Sequence, residues 1–501
     1  MGEKYQQLTA RLKDIQNLNK AGAVLGWDQQ TYMPQGSAEP RAEQLETLAR
    51  IGHIMFVGDE TARLLEDAAK EIEGAPYDSV EASMIRVVKQ DYDEQVKLPT
   101  ELVAEMSRET TLAHEVWARA RANNDFASFQ STLEKLFELV RKAADCLGYE
   151  EHPYDALLNQ YERGIRASQV KTIFDDHKPH LVELIQAIGQ HEERVNDSIL
   201  HQDFDVEKQR AFSTEVATAI GFDFHRGRLD VAVHPFCTNF GREDVRLTTR
   251  FNPKFLNSAL FGTMHEAGHG MYEQGSAPEL EFTPLSGGTS LAVHESQSRM
   301  WENIVGRSKG FWKWALPKAQ AQFPSQLGNV DVNTFYKAIN KVKRSFIRVE
   351  ADEATYNLHI MLRFEMEMGL IDGSVKIPNL PKEWNERFEA YLGVVPPNDT
   401  QGVLQDVHWS AGLIGYFATY ALGNLLSAQY YGKALQQHPS IPDEISEGKF
   451  DTLLGWLREN IHKHGRKYTS DELTRRVTGE SIQSKDYIRY LQTKYGEVYG
   501  L

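Results

Sequence analysis

His265-Glu266-Ala267-Gly268-His269 lies in a stretch that runs from Asn252 to Asn303 and also holds His294-Glu295-Ser296-Gln297. The first segment has the form H-E-x-x-H. On a helix its two histidines fall one turn apart on one face, so both imidazoles can reach one metal ion. The glutamate projects beside them, where it can handle the proton of a water molecule. Three other His-Glu pairs, at His114, His191 and His294, have no histidine four positions after the first. The surroundings predict a helix of about six turns. Asn252 is placed to cap it, Pro253 suits its first position and Gly275 suits its end. Phe255, Leu256, Ala259, Leu260, Met264, Ala267 and Met271 give an apolar stripe at helical spacing. The stretch reads as the catalytic centre of a metallopeptidase.

A catalytic zinc takes three protein ligands and keeps an open position. His265 and His269 supply two. Glu273 lies a further turn along the same helix, out of reach of His265's side. The next predicted helix, from near Leu291 through Trp301, brings Glu295 and Glu302 as candidates. Glu295, 26 positions after His269, is the preferred third ligand and Glu302 its competitor, since a connection of that length lets the second helix return past the first. Glu266 is then the general base. His294 points about 100° away from Glu295 on its helix. With Glu273 and Glu302 it is a candidate to support the ligands from behind.

Composition bounds the rest. The chain has 501 residues, 41% hydrophobic and 25% charged, an ordinary globular balance with length for a large core. Its net charge of −16 argues against a general nucleic-acid binder. Two cysteines, Cys146 and Cys237, exclude a disulfide framework and leave histidine and carboxylate as metal ligands. The first residues carry no apolar core of a secretory signal, and the most apolar window, 411–426, is shorter than a membrane span and holds Tyr416, Thr419, Tyr420 and Asn424. A cytoplasmic protein with no membrane partner is the expectation.

Along the chain the predicted texture is helical. Helices are expected over 3–25, 41–55, 60–74, 80–95, from Thr100, and over 126–146, 167–187 and 206–220, with a turn-rich crossing at 26–37 in which Asp28 caps a turn. At 229–234 and 244–250 apolar and polar residues alternate, which predicts an antiparallel strand pair joined by a loop at 235–243. Such an edge beside a metal site can hold an extended peptide by main-chain hydrogen bonds. Further helices are predicted over 332–370, 381–392 and 404–428, then a charged helical tail at 443–498. On a helix over 404–428, His408, Tyr416 and Tyr420 share one face, and a His or Tyr donor there can stabilise an oxyanion. The chain divides at 228/229 into a mainly helical half and a half carrying strands and metal helices, within one peptidase domain of residues 1–501.

Further ordered segments are His234-Pro235-Phe236, Asp244-Val-Arg246-Leu-Thr248, Ile347-Arg348-Val-Glu-Ala351-Asp352, and Gly402-Val-Leu-Gln405-Asp406-Val-His408-Trp409. Trp27-Asp28 through Pro34, and Arg41, belong with them. With the two metal segments they make the chain resemble the thermostable carboxypeptidase (carboxypeptidase Taq) family of zinc metallocarboxypeptidases, as a bacillus-type member. The resemblance also favours Glu295 over Glu302. It implies a mainly α fold like those of neurolysin and angiotensin-converting enzyme, with a deep central groove and a small antiparallel sheet beside the metal helix. It implies removal of single C-terminal residues with broad preference, zinc as the metal with cobalt able to substitute, and a homodimer.

A carboxypeptidase must recognise a free carboxylate, which arginine does with two parallel hydrogen bonds. Arg348 and Arg246 are the candidates. Arg348 lies four residues before Asp352, where the two can pair on one helix face. His234 and Tyr420 are further substrate-binding candidates, and His408 and Tyr416 join Glu266 as catalytic ones. Asp406 is placed either to orient His408 or to cap its helix. The alternatives are an oligoendopeptidase on a similar helical fold, or a helical scaffold with a structural metal. Glu266 argues against the scaffold, which has no need of that carboxylate.

Overall fold

The motif helix spans Asn257–Gln274 in the computed structural model, which describes residues 2–501. Helix accounts for 69% of the chain and strand for 3%, so the fold is mainly α with one small sheet. Among the described residues no helix is long and apolar enough to cross a membrane, and both cysteines are free. The chain forms two compact units, each built from three separated segments.

The first unit comprises the described residues up to Val96, Asp197–Ile339 and Tyr430–Gly479. Its opening helix, Glu3–Thr31, buries Tyr5, Leu8, Leu12 and Ile15 among Leu64, Leu65, Met84 and Val88. This helix continues through Gly26–Thr31, where turns were predicted. Thr31 Oγ1 donates to the Trp27 carbonyl (2.8 Å), and Tyr32 N to that of Asp28 (3.0 Å). Asp28 caps no turn; its carboxylate pairs with Arg41 (2.7 Å) on the next helix, Ala38–Val57. On that helix Ile51 and Ile54 are exposed.

The sheet has three strands, β1 (Gly227–Val231), β2 (Cys237–Gly241) and β3 (Asp244–Thr249), in the order β1-β3-β2. The two strands expected to pair antiparallel are parallel: Leu229 stands opposite Leu247. The antiparallel partner of β3 is β2, Thr238 facing Arg246, formed from residues predicted as loop. Alternation reports which face a residue takes but not the direction of its neighbour. The hairpin turn between Gly241 and Asp244 leaves β2 beside β3, so β1 takes the other edge.

The motif helix has five turns rather than six, because Asn252 and Pro253 stay outside it. Asn252 Oδ1 accepts the Lys254 N–H (2.9 Å) and makes a local turn. Leu256, Ala259, Leu260, Met264, Ala267 and Met271 are buried as the stripe predicts. Two glycines set its packing distances. A β-carbon at Gly270 would lie 2.9 Å from Leu247 Cδ2, so the sheet sits directly against the helix. One at Gly268 would lie 2.6 Å from Ser298 Cα, so the helix Leu291–Arg299 crosses there in close contact. Ser290 caps that second helix by accepting the Val293 N–H (3.1 Å). It runs straight into a π-helical turn, Met300–Val305, which carries Glu302.

The second unit comprises Lys97–Asn196, Asn340–Gln429 and Glu480–Leu501. The long helix expected over 332–370 does not form; the chain is helical over Val332–Ile339 and Tyr356–Asp372. Between them, side chains take the backbone groups that a helix would use. Asp352 accepts from Lys343 N (2.9 Å), Ala354 N (3.0 Å) and Thr355 N (3.1 Å), and Gln405 Oε1 from Arg348 N (2.8 Å). The helix expected over 404–428 starts only at Ala418. Gly412 and Gly415 take φ of +71° and +93°, and the Gly415 N–H goes to Glu367 (3.0 Å), so 403–417 is a chain of turns.

Candidate metal centre

The crossing of the two helices brings His265, His269 and Glu295 together. Oε2 of Glu295 lies 3.7 Å from Nε2 of His265 and 3.6 Å from Nε2 of His269. One ligand atom from each of the three falls within 4.8 Å of the others. The separations to Glu295 are too long for hydrogen bonds. They are about what donors bound at ~2 Å to one cation require.

The remaining ring nitrogens are held from behind. His265 Nδ1 lies 2.9 Å from Glu302 Oε2. His269 Nδ1 lies 2.7 Å from His294 Nδ1, and His294 Nε2 lies 2.6 Å from Glu273 Oε1. Only one proton fits between the two Nδ1 atoms. For Nε2 of His269 to face a cation bare, that proton must sit on His269 Nδ1; His294 then accepts it and donates its own Nε2–H to Glu273. Glu302 thus stands behind His265, and Glu295 stands with the metal-facing nitrogens.

Arg299 was not singled out from the sequence. Its Nε donates to Glu295 Oε1 (2.6 Å) and its Nη1 to Glu302 Oε2 (3.2 Å), tying together the carboxylate in front of the histidines and the one behind. The signal was available: Glu295 and Arg299 are four apart on one helix, and Glu302 follows three later.

Electrostatics suits a cation. Burial works to raise the Glu295 pKa, but Arg299 and the two histidines hold it well below the ordinary carboxylate range, so it is ionised. Burial pushes His269 down to about 4, which keeps it neutral as a ligand must be. At His265 burial works downward, yet Glu295 and Glu302 hold the pKa above its usual value; the carboxylates favour positive charge there. Two neutralisable imidazoles and an ionised carboxylate are the donor set of a zinc-type site. Burial, with Glu295 and Glu302 adding, pushes Glu266 up to about 7, against the pull of His265.

The other predicted residues fall in two places. In the first unit Arg246, on β3, forms a two-pronged ion pair with Asp244 (2.9 Å for each bond) and covers the Trp27 ring at 4.2 Å. His234 is exposed in the bend between β1 and β2. In the second unit Arg348, His408, Tyr416 and Tyr420 come together without the shared helix predicted for the last three. The His408 ring lies 5.7 Å from that of Tyr416 and 6.3 Å from that of Tyr420, and the two tyrosine rings are 5.2 Å apart. Arg348 pairs not with Asp352 but with Asp406, through Nε (3.0 Å) and Nη2 (2.9 Å), and donates from Nη1 to Tyr356 Oη (3.0 Å). The expected helical pairing fails because Arg348 and Asp352 are not on one helix.

Asp406 also takes Arg363, another residue the sequence did not flag, through Nε at 2.6 Å. Against the effect of burial, the two guanidiniums hold Asp406 well below the carboxylate range. His408 Nδ1 stands 3.9 Å from Asp406, and burial, aided by Arg348 and Arg363, pushes its pKa down to about 4. Glu367 anchors the same turns by accepting Trp409 Nε1 (2.8 Å), Tyr154 Oη (2.7 Å) and Gly415 N (3.0 Å).

Residues 7–495 match the family model described as "Carboxypeptidase Taq (M32) metallopeptidase". The chain is 40% identical to thermostable carboxypeptidase 1 of Thermus thermophilus over 99% of both chains, and 36% identical to carboxypeptidase 1 of Bacillus subtilis over 97% of both. It superposes on the crystal structure of the M32 carboxypeptidase of Deinococcus radiodurans with a TM-score of 0.97, 40% identity and full coverage of both chains. These relatives carry the carboxypeptidase reading and not the endopeptidase one. At this likeness over its whole length, the chain belongs to the carboxypeptidase Taq family of metallopeptidases and is a metallocarboxypeptidase.

Proposed function

We propose that the chain works as one peptidase domain that releases single residues from the free C-termini of peptides, with broad preference, using zinc held by His265, His269 and Glu295. Bound there, zinc supplies Lewis-acid polarisation of the scissile carbonyl and a lowered water pKa, and cobalt is able to replace it. Glu266 takes a proton from the attacking water and delivers it to the departing amine. A pKa near neutrality suits both halves of that task. His408 and Tyr416 donate to the oxyanion, with Tyr420 beside them.

The observation that carries the choice of a chain end is the charge count around Asp406. Two buried arginines, Arg348 and Arg363, face that one carboxylate. The group holds an excess positive charge that a second carboxylate would balance. Of the five N–H bonds of the Arg348 guanidinium, Asp406 and Tyr356 take three, which leaves donors for the substrate's terminal carboxylate. Arg246 and His234 are assigned to the rest of the peptide, where β2 is an edge strand able to pair with an extended chain. A homodimer in the cytoplasm completes the proposal, following the family's habit.

The test is timed mass spectrometry of one peptide as free acid and as C-terminal amide, with and without chelator. Stepwise loss of single residues from the free acid alone, stopped by chelator, is the expected result. Equal cleavage of the amide would exclude recognition of the terminal carboxylate.

A further inference from the structure

Past the C-terminal end of the motif helix lies a cavity of about 450 Å³, walled by Gln274–Pro278 and by residues of the helix Asp451–Asn460. Four basic side chains line it, Arg226, Arg242, Arg458 and Lys463, against one acidic side chain, Glu459. In a chain of net charge −16 such an excess is a local construction.

The surrounding acids absorb only part of it. Glu459 is taken by Lys463. Arg226 pairs with Asp223 (2.8 Å) and its Nη1 approaches the Gln274 carbonyl (3.3 Å), so it answers the negative end of the motif helix. Arg226 and Arg242 share one further acid, Glu243, at 3.6 Å from each, and that side chain is 65% exposed, which makes the pairing weak. The Nε of Arg242 is buried without a hydrogen bond. Arg458 makes no hydrogen bond or ion pair among the described residues. Burial and the neighbouring charges of Arg226 and Arg242 lower its pKa, against Asp223 and Asp451. In the same wall Ser276 is 3% exposed, and its hydroxyl has no partner.

Arg458, half-buried and without a hydrogen-bond acceptor, lines the cavity beside Arg226 and Arg242, and a ligand rich in acceptor oxygens would give its guanidinium partners. A neutral ligand leaves the charges uncompensated and a cation adds to them. The volume exceeds that of one tetrahedral oxyanion. We propose that this cavity binds a small polyanion bearing two or more phosphate or carboxylate groups, with Arg242 and Arg458 as its principal ligands. The site is separate from the metal centre: Gln274 is five residues beyond His269, the nearer helix ligand, about 8 Å along the helix axis.

The experiment is calorimetric titration of the metal-loaded full chain with pyrophosphate, with citrate and with inorganic phosphate, alongside an Arg242→Gln/Arg458→Gln variant of equal metal content. One equivalent of pyrophosphate or citrate is expected to bind, more tightly than phosphate, and about 30-fold more weakly in the variant. Preference for pyrophosphate identifies a phosphate ligand, and preference for citrate a carboxylate one. Chelation at the metal centre would be unchanged by the substitutions, so equal affinity in both proteins overturns the proposal, as does no binding at millimolar concentration. Removing the unpaired Arg458 charge alone is expected to preserve or raise the melting temperature in anion-free buffer, so Arg458→Gln supplies a folded second variant for the same titration.

Discussion

The Nε of Arg299 lies 2.6 Å from Oε1 of Glu295, leaving Oε2 of that carboxylate facing the two histidines. The same guanidinium reaches Glu302, which stands behind His265. One side chain therefore fixes the orientation of a ligand and of a ligand's support. Arg299→Met is expected to weaken metal binding about 10- to 100-fold. Equilibrium dialysis against metal buffers measures it, and an unchanged affinity would show that Glu295 is held by other groups.

Gly268 sets the distance between the helices that carry the ligands. A β-carbon there would meet Ser298 Cα at 2.6 Å and the Gln297 carbonyl oxygen at 2.7 Å, and backbone cannot swing aside as a side-chain tip can. Gly268→Ala is expected to destabilise the protein by about 1–3 kcal/mol and to reduce metal occupancy, because Glu295 must retreat from the histidines. Denaturant unfolding and elemental analysis check the two halves separately. Full stability with full metal content would mean that the crossing relaxes without cost.

Asp406 balances two buried guanidiniums. Asp406→Asn leaves Arg348 and Arg363 facing each other without a countercharge, and a loss of about 3–5 kcal/mol in unfolding free energy is expected. A loss below about 1 kcal/mol, the scale of an exposed pair, would show that the cluster is solvated in solution.

His177 predicts a pH dependence. It is fully buried in the second unit, with Nε2 3.2 Å from Asn357 Nδ2 and Nδ1 without a partner, and burial pushes its pKa from 6.5 down to about 3. Between those values the unfolded chain binds a proton that the folded one refuses. Stability from this residue is thus whole above pH 6.5 and falls as the pH drops toward 3. His177→Gln keeps an acceptor for Asn357 and cannot be protonated. Comparing the two proteins by urea unfolding at pH 7 and pH 4, the variant is expected to lose less stability on acidification, by up to about 3 kcal/mol. Identical losses would refute the assignment.

Much of the site was legible because its chemistry is local in sequence. His265, Glu266 and His269 need only a helix to converge, and the apolar stripe from Leu256 to Met271 predicts that helix. Helix boundaries were less legible. Asn252 and Pro253 have the composition of a helix start, yet Asn252 closes a turn on Lys254 instead. Helical spacing around Arg348 and His408 suggested two continuous helices, but Asp352, Gln405 and Glu367 satisfy those backbones from the side. No periodicity reports a side chain that reaches across the fold to replace a helical hydrogen bond.

By itself the sequence determined the donor types, their spacing, the helical class and the family, since these follow from residue identity and short-range geometry. The tertiary structure decided the partners. It placed Glu302 behind His265, passed His269 through His294 to Glu273, gave Arg348 to Asp406 with Arg363 beside it, and paired β1 parallel to β3. Each of these joins side chains or strands on separate elements. Their meeting depends on how close the elements can pack, and at the metal centre that distance is set by the missing side chain of Gly268.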